Sequence, residues 1–177
     1  MGDSGSRAID VVLVAEDHED DVVLLRWAFA KAGVPNPIHI VRDGLECVAY
    51  LSGTGKYANR DEYPLPVLLL VDLKMPNMDG FEVLHWVRHN PGLKRLPIVV
   101  LTTSEDVFDI NRAYELGANS FLIKTLDIQT FADLAEQLGR YWLSLSLAPQ
   151  TERPPFDRPQ RAPDELQNTD GATTTNS

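Results

Sequence analysis

Short continuous apolar runs alternate with amphipathic segments along the chain. The strongest runs cover residues 11–15, 67–71 and 98–101, and two weaker ones cover residues 38–41 and 120–123. The strong runs are rich in β-branched residues and contain no polar alternation. Runs of this kind are typical of strands that are buried on both faces of a parallel sheet.

Helical patterns lie between and after these runs, over residues 22–32, 45–51, 81–89 and 107–116, and from 128 to about 147. Ser104 stands where it would cap the fourth of these helices. In the last helix, apolar side chains recur every three or four residues, as one face of a helix requires. The alternation of strands and helices predicts an α/β fold with a doubly wound, five-stranded parallel sheet.

Chemically active side chains follow four of the five predicted strands. Glu16 and Asp17 follow the first strand, Asp72 the third, Thr102 the fourth and Lys124 the fifth. Ligands of such sheets bind beyond the carboxyl ends of the strands, so we expect these side chains to converge. Clustered carboxylates repel one another unless a cation lies among them, and their oxygens suit Mg²⁺. A carboxylate beside Mg²⁺ and an ammonium group is a suitable phosphoryl acceptor.

Composition and charge narrow the class of protein. Lys and Arg number 16 against 26 Asp and Glu, which gives a formal net charge of −10. That charge argues against binding nucleic acid or an anionic membrane through net charge. The single cysteine, Cys47, excludes a disulfide framework. No segment resembles a secretory signal or a membrane span, so we expect a cytoplasmic protein.

Domain organisation follows from an abrupt change of composition near Pro149. Residues 149–177 include five prolines and few apolar side chains. Such a segment cannot bury enough surface to offset its ordering entropy, so a disordered tail is predicted. We predict a folded domain over residues 9–148, preceded by a flexible N-terminus at residues 1–8.

Four segments together resemble the receiver domains of two-component response regulators. They are VVLVAED (11–17), LLLVDLKMPNMDG (68–80), IVVLTTS (98–104) and FLIK (121–124). The resemblance extends over nearly all of residues 10–147 and implies the flavodoxin-like (βα)5 receiver fold. Thr125 departs from the family, which usually has proline there and commonly a cis peptide. A cis bond before a non-proline residue costs roughly 2.5–4 kcal/mol, so the sequence leaves this peptide's geometry open.

The resemblance also implies roles for individual residues. Asp72 would be the phosphorylated aspartate, assisted by Thr102 and Lys124. Thr102 would act as a switch together with the aromatic Phe121. The predicted Mg²⁺ ligands are the side chains of Glu16, Asp17 and Asp72 and the backbone carbonyl of Lys74.

The predicted function is that of a single-domain response regulator, a phosphoacceptor signalling protein rather than an enzyme. It would receive a phosphoryl group from a sensor histidine kinase and assist its own phosphorylation and dephosphorylation. It would signal through protein contacts, with no direct binding to nucleic acid or membrane. The chain also resembles the small receivers that are paired with phytochrome-type histidine kinases. The similar features are the long connection at residues 53–66 and the end of the last helix at residues 141–147. We expect a homodimer through the face formed by the fourth helix, the fifth strand and the last helix.

Two alternatives belong to other functional classes. A receiver-like adaptor would bind partners without being phosphorylated, but it would not need the acidic pair, Asp72 and Lys124. An aspartate-nucleophile phosphohydrolase also uses Mg²⁺, a threonine and a lysine. Such enzymes usually carry a second aspartate two residues after the nucleophile, where this chain has Lys74.

Overall fold

The computed structural model describes residues 10–125, 127–149 and 151. The predicted flexible N-terminus, and the predicted tail beyond residue 151, lie outside the described residues. The strands are β1 (Val12–Ala15), β2 (Ile38–Val41), β3 (Leu68–Val71), β4 (Ile98–Thr102) and β5 (Ser120–Ile123). The helices are α1 (Glu19–Lys31), α2 (Gly44–Ser52), α3 (Gly80–His89), α4 (Val107–Glu115) and α5 (Ile128–Leu138).

The five strands form one parallel sheet in the order β2-β1-β3-β4-β5. The last residue of β1, Ala15, lies opposite Val41 of β2 on one side and Val71 of β3 on the other. The predicted five-stranded parallel sheet is therefore confirmed. The chain changes its direction of winding between β1 and β3, which is where sheets of this type bind their ligands.

Two apolar clusters cover the two faces of the sheet. Successive side chains of a strand point to opposite faces, so Leu13 and Leu69 pack in the cluster under α2, α3 and α4. Val14 and Leu70 pack in the cluster under α1 and α5. Because both faces are covered, the three inner strands β1, β3 and β4 are buried almost throughout, which explains their continuous apolar runs and confirms the doubly wound arrangement.

One predicted helix start, that of α1, and one predicted helix cap, that of α4, are wrong. Helix α1 begins at Glu19, because acidic residues in a first turn complement the positive end of the helix dipole. Ser104 does not cap α4. The Asp106 carboxylate accepts a hydrogen bond from the backbone N–H of Phe108 at 2.8 Å, while Ser104 Oγ donates to Asp109 at 2.6 Å.

The prediction of one α-helix from residue 128 to about 147 is wrong beyond Leu138. The chain continues from α5 directly into a π-helix, Gly139–Leu145, whose wider turn is seen in the 2.7 Å bond from Ser146 N to Tyr141 O. A Cβ atom on Gly139 would overlap Val34 Cγ2. Glycine therefore lets the helix pass close to the segment after α1.

The connection between α2 and β3 is held against the domain by a buried side chain and by hydrogen bonds. It contains a 3₁₀ helix, Gly55–Tyr57, and Tyr57 is buried. The Arg60 guanidinium donates to the carbonyl oxygens of Tyr50 at 2.8 Å and Leu51 at 2.7 Å. These carbonyls belong to the last turn of α2, where carbonyl groups lack the usual partners of a helix interior. Arg60 thus closes the end of the helix.

Two expectations from composition concern the interior and the membrane. Cys47 is fully buried in α2, and burial raises the pKa of its thiol to about 12. Over the described ranges, no helix has the length and hydropathy to cross a membrane.

Candidate functional site

Four strands bring their chemically active residues to one edge of the sheet. Glu16 follows β1, Asp72 follows β3, Thr102 ends β4 and Lys124 follows β5. All four strands are parallel, so their carboxyl ends lie side by side in the pairing register. Glu16, Asp72 and Thr102 are buried even though two of them carry ionisable groups. Buried ionisable groups need partners, and here they face one another.

The Lys124 ammonium is the centre of this site. It donates hydrogen bonds to Glu16, to Asp21 Oδ2 at 2.8 Å and to Asp72 Oδ2 at 2.7 Å. The Lys124 side chain is only 7% exposed. One cation is therefore shared by three carboxylates in a partly desolvated position, where each charge–charge contact is stronger than in water.

Asp21 is a member of the site that the sequence patterns did not identify. It lies in the first turn of α1, beyond the Glu16-Asp17 pair that follows β1. The available sequence signal was the continued acidic run through Glu19 and Asp20, but a run of exposed acids at a helix start is ordinary. The hydrogen bond from Lys124 is what identifies Asp21, rather than Glu19 or Asp20, as part of the site.

A group of possible metal ligands lies beside the lysine. One ligand atom from each of Glu16, Asp17, His18 and Asp72 lies within 4.8 Å of the others. Asp17 Oδ1 is buried and accepts no hydrogen bond, although His18 Nδ1 lies 3.1 Å away. A buried oxygen without a partner is costly unless a cation reaches it. The donor set, rich in carboxylate oxygens, therefore fits a divalent cation.

Burial and charge shift the pKa of two groups in this site. Burial raises the pKa of Glu16, and the nearby Lys124 offsets only part of that effect. For Lys124, burial acts to lower the pKa, but hydrogen bonds to Asp21, Asp72 and Glu16 outweigh it and raise the pKa above its ordinary value. The lysine therefore stays charged at neutral pH.

The loop after β3 carries Lys74, whose carbonyl was predicted as a metal ligand from the family resemblance. The Lys74 backbone N–H donates to Asp72 Oδ1 at 3.2 Å, so this loop folds back on the Asp72 side chain. Gly80 closes the loop through a 3.0 Å bond from its N–H to Leu73 O. A Cβ atom at Gly80 would overlap the carbonyl oxygen of Asp72, so glycine is required there by the close approach.

The two residues predicted to act as a switch occupy neighbouring strands. Thr102 is fully buried, and its Oγ1 accepts a 3.5 Å hydrogen bond from Ser104 N. Phe121 is half-buried, pairs with Val100 across β4 and β5, and packs against the cluster under α2–α4. Lys124 N donates to Thr102 O at 2.8 Å. The ends of β4 and β5 are thereby joined next to the site.

The peptide between Lys124 and Thr125 is trans, since the described part of the chain contains no cis peptide bond. Lys124 nevertheless reaches all three carboxylates. The Thr125 hydroxyl accepts a 3.1 Å hydrogen bond from Asp127 N, and Asp127 in turn caps α5. The threonine thus supports the turn into α5 without a proline.

Comparisons with known proteins agree with this geometry. A family model described as the response regulator receiver domain matches residues 12–136. Response regulator Rcp1 of Synechocystis sp. is 36% identical over 139 residues, covering 78% of this chain and 92% of that protein. The structure of the phosphorylated cyanobacterial phytochrome response regulator RcpA superposes with a TM-score of 0.74 at 37% identity, over 80% of this chain and 99% of that one. The Mn²⁺-bound form of Rcp1 gives a TM-score of 0.72 at 36% identity, over 79% and 99%.

Proposed function

The chain belongs to the response regulator receiver family and is related to phytochrome response regulators, and from this premise we propose that it accepts a phosphoryl group on Asp72. The donor is the phosphohistidine of a sensor histidine kinase. An Asp72 carboxylate oxygen attacks phosphorus, the P–N bond breaks, and the imidazole nitrogen leaves with the electron pair. Attack of water on the resulting acyl phosphate later regenerates the carboxylate.

The contact between Lys124 Nζ and Asp72 Oδ2, at 2.7 Å, carries this proposal. Phosphoryl transfer mostly requires in-line positioning and neutralisation of the phosphoryl oxygens. A lysine held charged at the acceptor oxygen provides that neutralisation, while the Thr102 hydroxyl at the end of β4 offers a hydrogen-bond donor. The chain in this way assists its own phosphorylation and dephosphorylation.

The proposed metal is Mg²⁺, held by the side chains of Glu16, Asp17 and Asp72 and by the Lys74 carbonyl. When bound, it supplies positive charge to the phosphoryl oxygens. The buried Asp17 Oδ1, which accepts no hydrogen bond, and the carboxylate-rich cluster support this assignment. The Mn²⁺-bound structure of Rcp1 supports a divalent ion in the corresponding family site.

The proposed output is a change of surface controlled by Thr102 and Phe121. A phosphoryl group adds negative charge and acceptor oxygens beside the end of β4. Thr102 moves toward those oxygens, and Phe121 repacks in the space between β5 and α4. The change alters the face formed by α4, β5 and α5, which binds other proteins.

The proposed partners are proteins. The relation to the cyanobacterial phytochrome response regulator RcpA supports a phytochrome-type histidine kinase as donor. The proposed location of this phosphorelay is the cytoplasm. A second copy of the chain binds through the α4–β5–α5 face. The net charge of −10 disfavours nucleic acid and anionic membranes as direct partners.

Intact-protein mass after incubation with acetyl phosphate and Mg²⁺ tests the acceptor directly. We expect a gain of one phosphoryl group in the wild type and none in Asp72→Asn or after chelation of the metal. Asp61→Asn is the matched control, because Asp61 is an exposed aspartate in the connection between α2 and β3. It should be phosphorylated like the wild type.

Two outcomes contradict the proposal and favour its rivals. Phosphorylation that persists in Asp72→Asn places the acceptor elsewhere. No phosphorylation from acetyl phosphate or from a histidine kinase donor supports a binding adaptor. Lys74 stands where a phosphohydrolase would carry its second aspartate, so the carboxylate that this rival requires is missing at that position.

A further inference from the structure

A hydrogen bond outside the acceptor site joins the loop after β3 to helix α2. Asp43 is the N-cap of α2, and its Oδ1 accepts from Glu46 N at 2.7 Å. Its other oxygen, Oδ2, accepts from Asn77 Nδ2, also at 2.7 Å. Both carboxylate oxygens of Asp43 are therefore engaged, one within its own helix and one with a residue distant in sequence.

A backbone bond supports the same junction. Gly44 N donates to Met78 O at 3.1 Å, and a Cβ atom on Gly44 would overlap that oxygen. The start of α2 and the tip of the loop are thus in direct backbone contact. The Asn77 side chain adds the second link and prevents rotation about the first.

The loop tied in this way is the one that carries the acceptor chemistry. It begins with Asp72, continues through Lys74 and closes at Gly80. Asn77 lies at its tip with φ of 63°, a left-handed conformation that asparagine and glycine tolerate better than other residues. Asn77 and Lys74 belong to the same short loop, so a restraint on Asn77 also acts on the backbone near Lys74.

We propose that Asp43 and Asn77 are positioning residues of the phosphoacceptor site. Their hydrogen bond holds the tip of the loop against α2 and so restrains the loop backbone that carries Asp72 and Lys74. This inference rests on the proposed function, because it assigns the Lys74 carbonyl to the metal. Asn77 is exposed and contributes little to core packing, so its loss changes the site more than the stability of the fold.

Three variants separate this role from a general structural one. Asn77→Gly removes the bond and keeps the left-handed backbone accessible. Asn77→Asp keeps that tolerance but sets a second carboxylate against Asp43. The double variant Asp43→Asn with Asn77→Asp restores the bond with donor and acceptor exchanged, since the Asn at position 43 caps α2 with its oxygen and donates with its nitrogen.

The measurements are Mn²⁺ binding by electron paramagnetic resonance, the initial rate of phosphorylation by acetyl phosphate, and the urea midpoint of unfolding. We expect Asn77→Gly to weaken Mn²⁺ binding about tenfold, as loss of a group that orients a metal ligand does. The phosphorylation rate should fall with it. Asn77→Asp should weaken Mn²⁺ binding more than Asn77→Gly does, and the double variant should recover most of the lost affinity.

Asn119→Gly is the matched control at the opposite edge of the sheet. Asn119 Oδ1 accepts from Ile98 N at 2.8 Å and from Arg88 at 3.0 Å, away from the carboxyl ends of the strands. This control should lower the urea midpoint and leave Mn²⁺ affinity unchanged.

Two results would overturn the inference. One is wild-type Mn²⁺ affinity in both single variants at position 77. The other is no recovery in the double variant. A wild-type protein that binds Mn²⁺ and accepts no phosphoryl group would instead contradict the proposed function. The Mn²⁺ affinities of the single and double variants would still decide whether Asp43 and Asn77 position the loop.

Discussion

At the scale of single residues, the same contacts give Lys124 two roles, one in stability and one in the proposed chemistry. Its ammonium balances the charges of Glu16, Asp21 and Asp72 at a site that is largely shielded from water. The same ammonium lies against the oxygen proposed to receive phosphorus. The group that stabilises the carboxylates at rest is therefore already in place to pair with a phosphoryl group.

Replacing this lysine should expose both roles. We expect Lys124→Gln to lower the free energy of unfolding by about 3 kcal/mol without metal, because three carboxylates lose the buried ammonium that they share. Added Mg²⁺ should restore more stability in the variant than in the wild type, since the metal then neutralises carboxylates that repel one another. Urea unfolding with and without Mg²⁺ measures both effects.

Lys56→Gln is the matched control for this substitution. Lys56 also pairs with a glutamate, Glu46, at 2.6 Å, but its side chain is 66% exposed. Exposed pairs contribute about 0–1 kcal/mol, so the loss should be small and the response to Mg²⁺ unchanged. Equal gains from Mg²⁺ in the two lysine variants would contradict a special role for Lys124.

At the scale of elements, the passage from α5 into the π-helix depends on one glycine. Gly139 lies against Val34, which follows α1, and helices α1 and α5 are the pair that covers one face of the sheet. Alanine is favoured over glycine in a helix by about 1 kcal/mol. Overlap with Val34 costs about 1–3 kcal/mol if the neighbour cannot move.

Because these effects oppose each other, the effect of Gly139→Ala on the free energy of unfolding should change sign with the residue at position 34. Gly139→Ala should destabilise the wild type, because the overlap outweighs the helix preference. In a Val34→Ala background, where the overlapping methyl group is absent, Gly139→Ala should stabilise the protein. Free energies of unfolding for the four members of this cycle, measured in urea, decide the matter. A loss of similar size in both backgrounds would show that Val34 is not the obstacle.

At the scale of the whole molecule, apolar side chains are exposed on the face proposed for dimerisation. Phe108 of α4 and Ile123 of β5 are exposed there, and the π-helix that follows α5 exposes Tyr141 and Leu145 as well. Exposed apolar patches on soluble domains often mark contact surfaces. Edge strand β5 also offers unpaired backbone groups along this face.

We therefore expect light scattering to detect a dimer whose fraction falls on Leu145→Glu. A charge placed in an apolar interface must be desolvated without a partner, which disfavours association. Leu45→Glu is the control, because Leu45 is similarly exposed on α2, on the other side of the sheet order. A monomer under all conditions, or equal effects of the two substitutions, would exclude this face.

The fold was largely readable in the sequence because burial of a sheet on both faces demands continuous apolar strands. For the same reason, residues directly after those strands had to meet at one edge, which predicted Glu16, Asp72, Thr102 and Lys124 together. Neither step needs knowledge of contacts between distant segments. The π-helix after Leu138 was missed because an apolar periodicity of three or four residues does not distinguish it from an α-helix.

The sequence alone determined which residues are buried and which edge of the sheet carries charge, because both follow from local pattern and strand direction. The tertiary structure decided which acids Lys124 contacts, and it added Asp21 and His18 to the group around the site. It also joined Asp43 to Asn77, whose pairing depends on how the start of α2 lies against a loop far along the chain. Such contacts depend on how helices, strands and loops pack against one another. This packing produces no periodic pattern in the amino-acid sequence from which the contacts could be predicted.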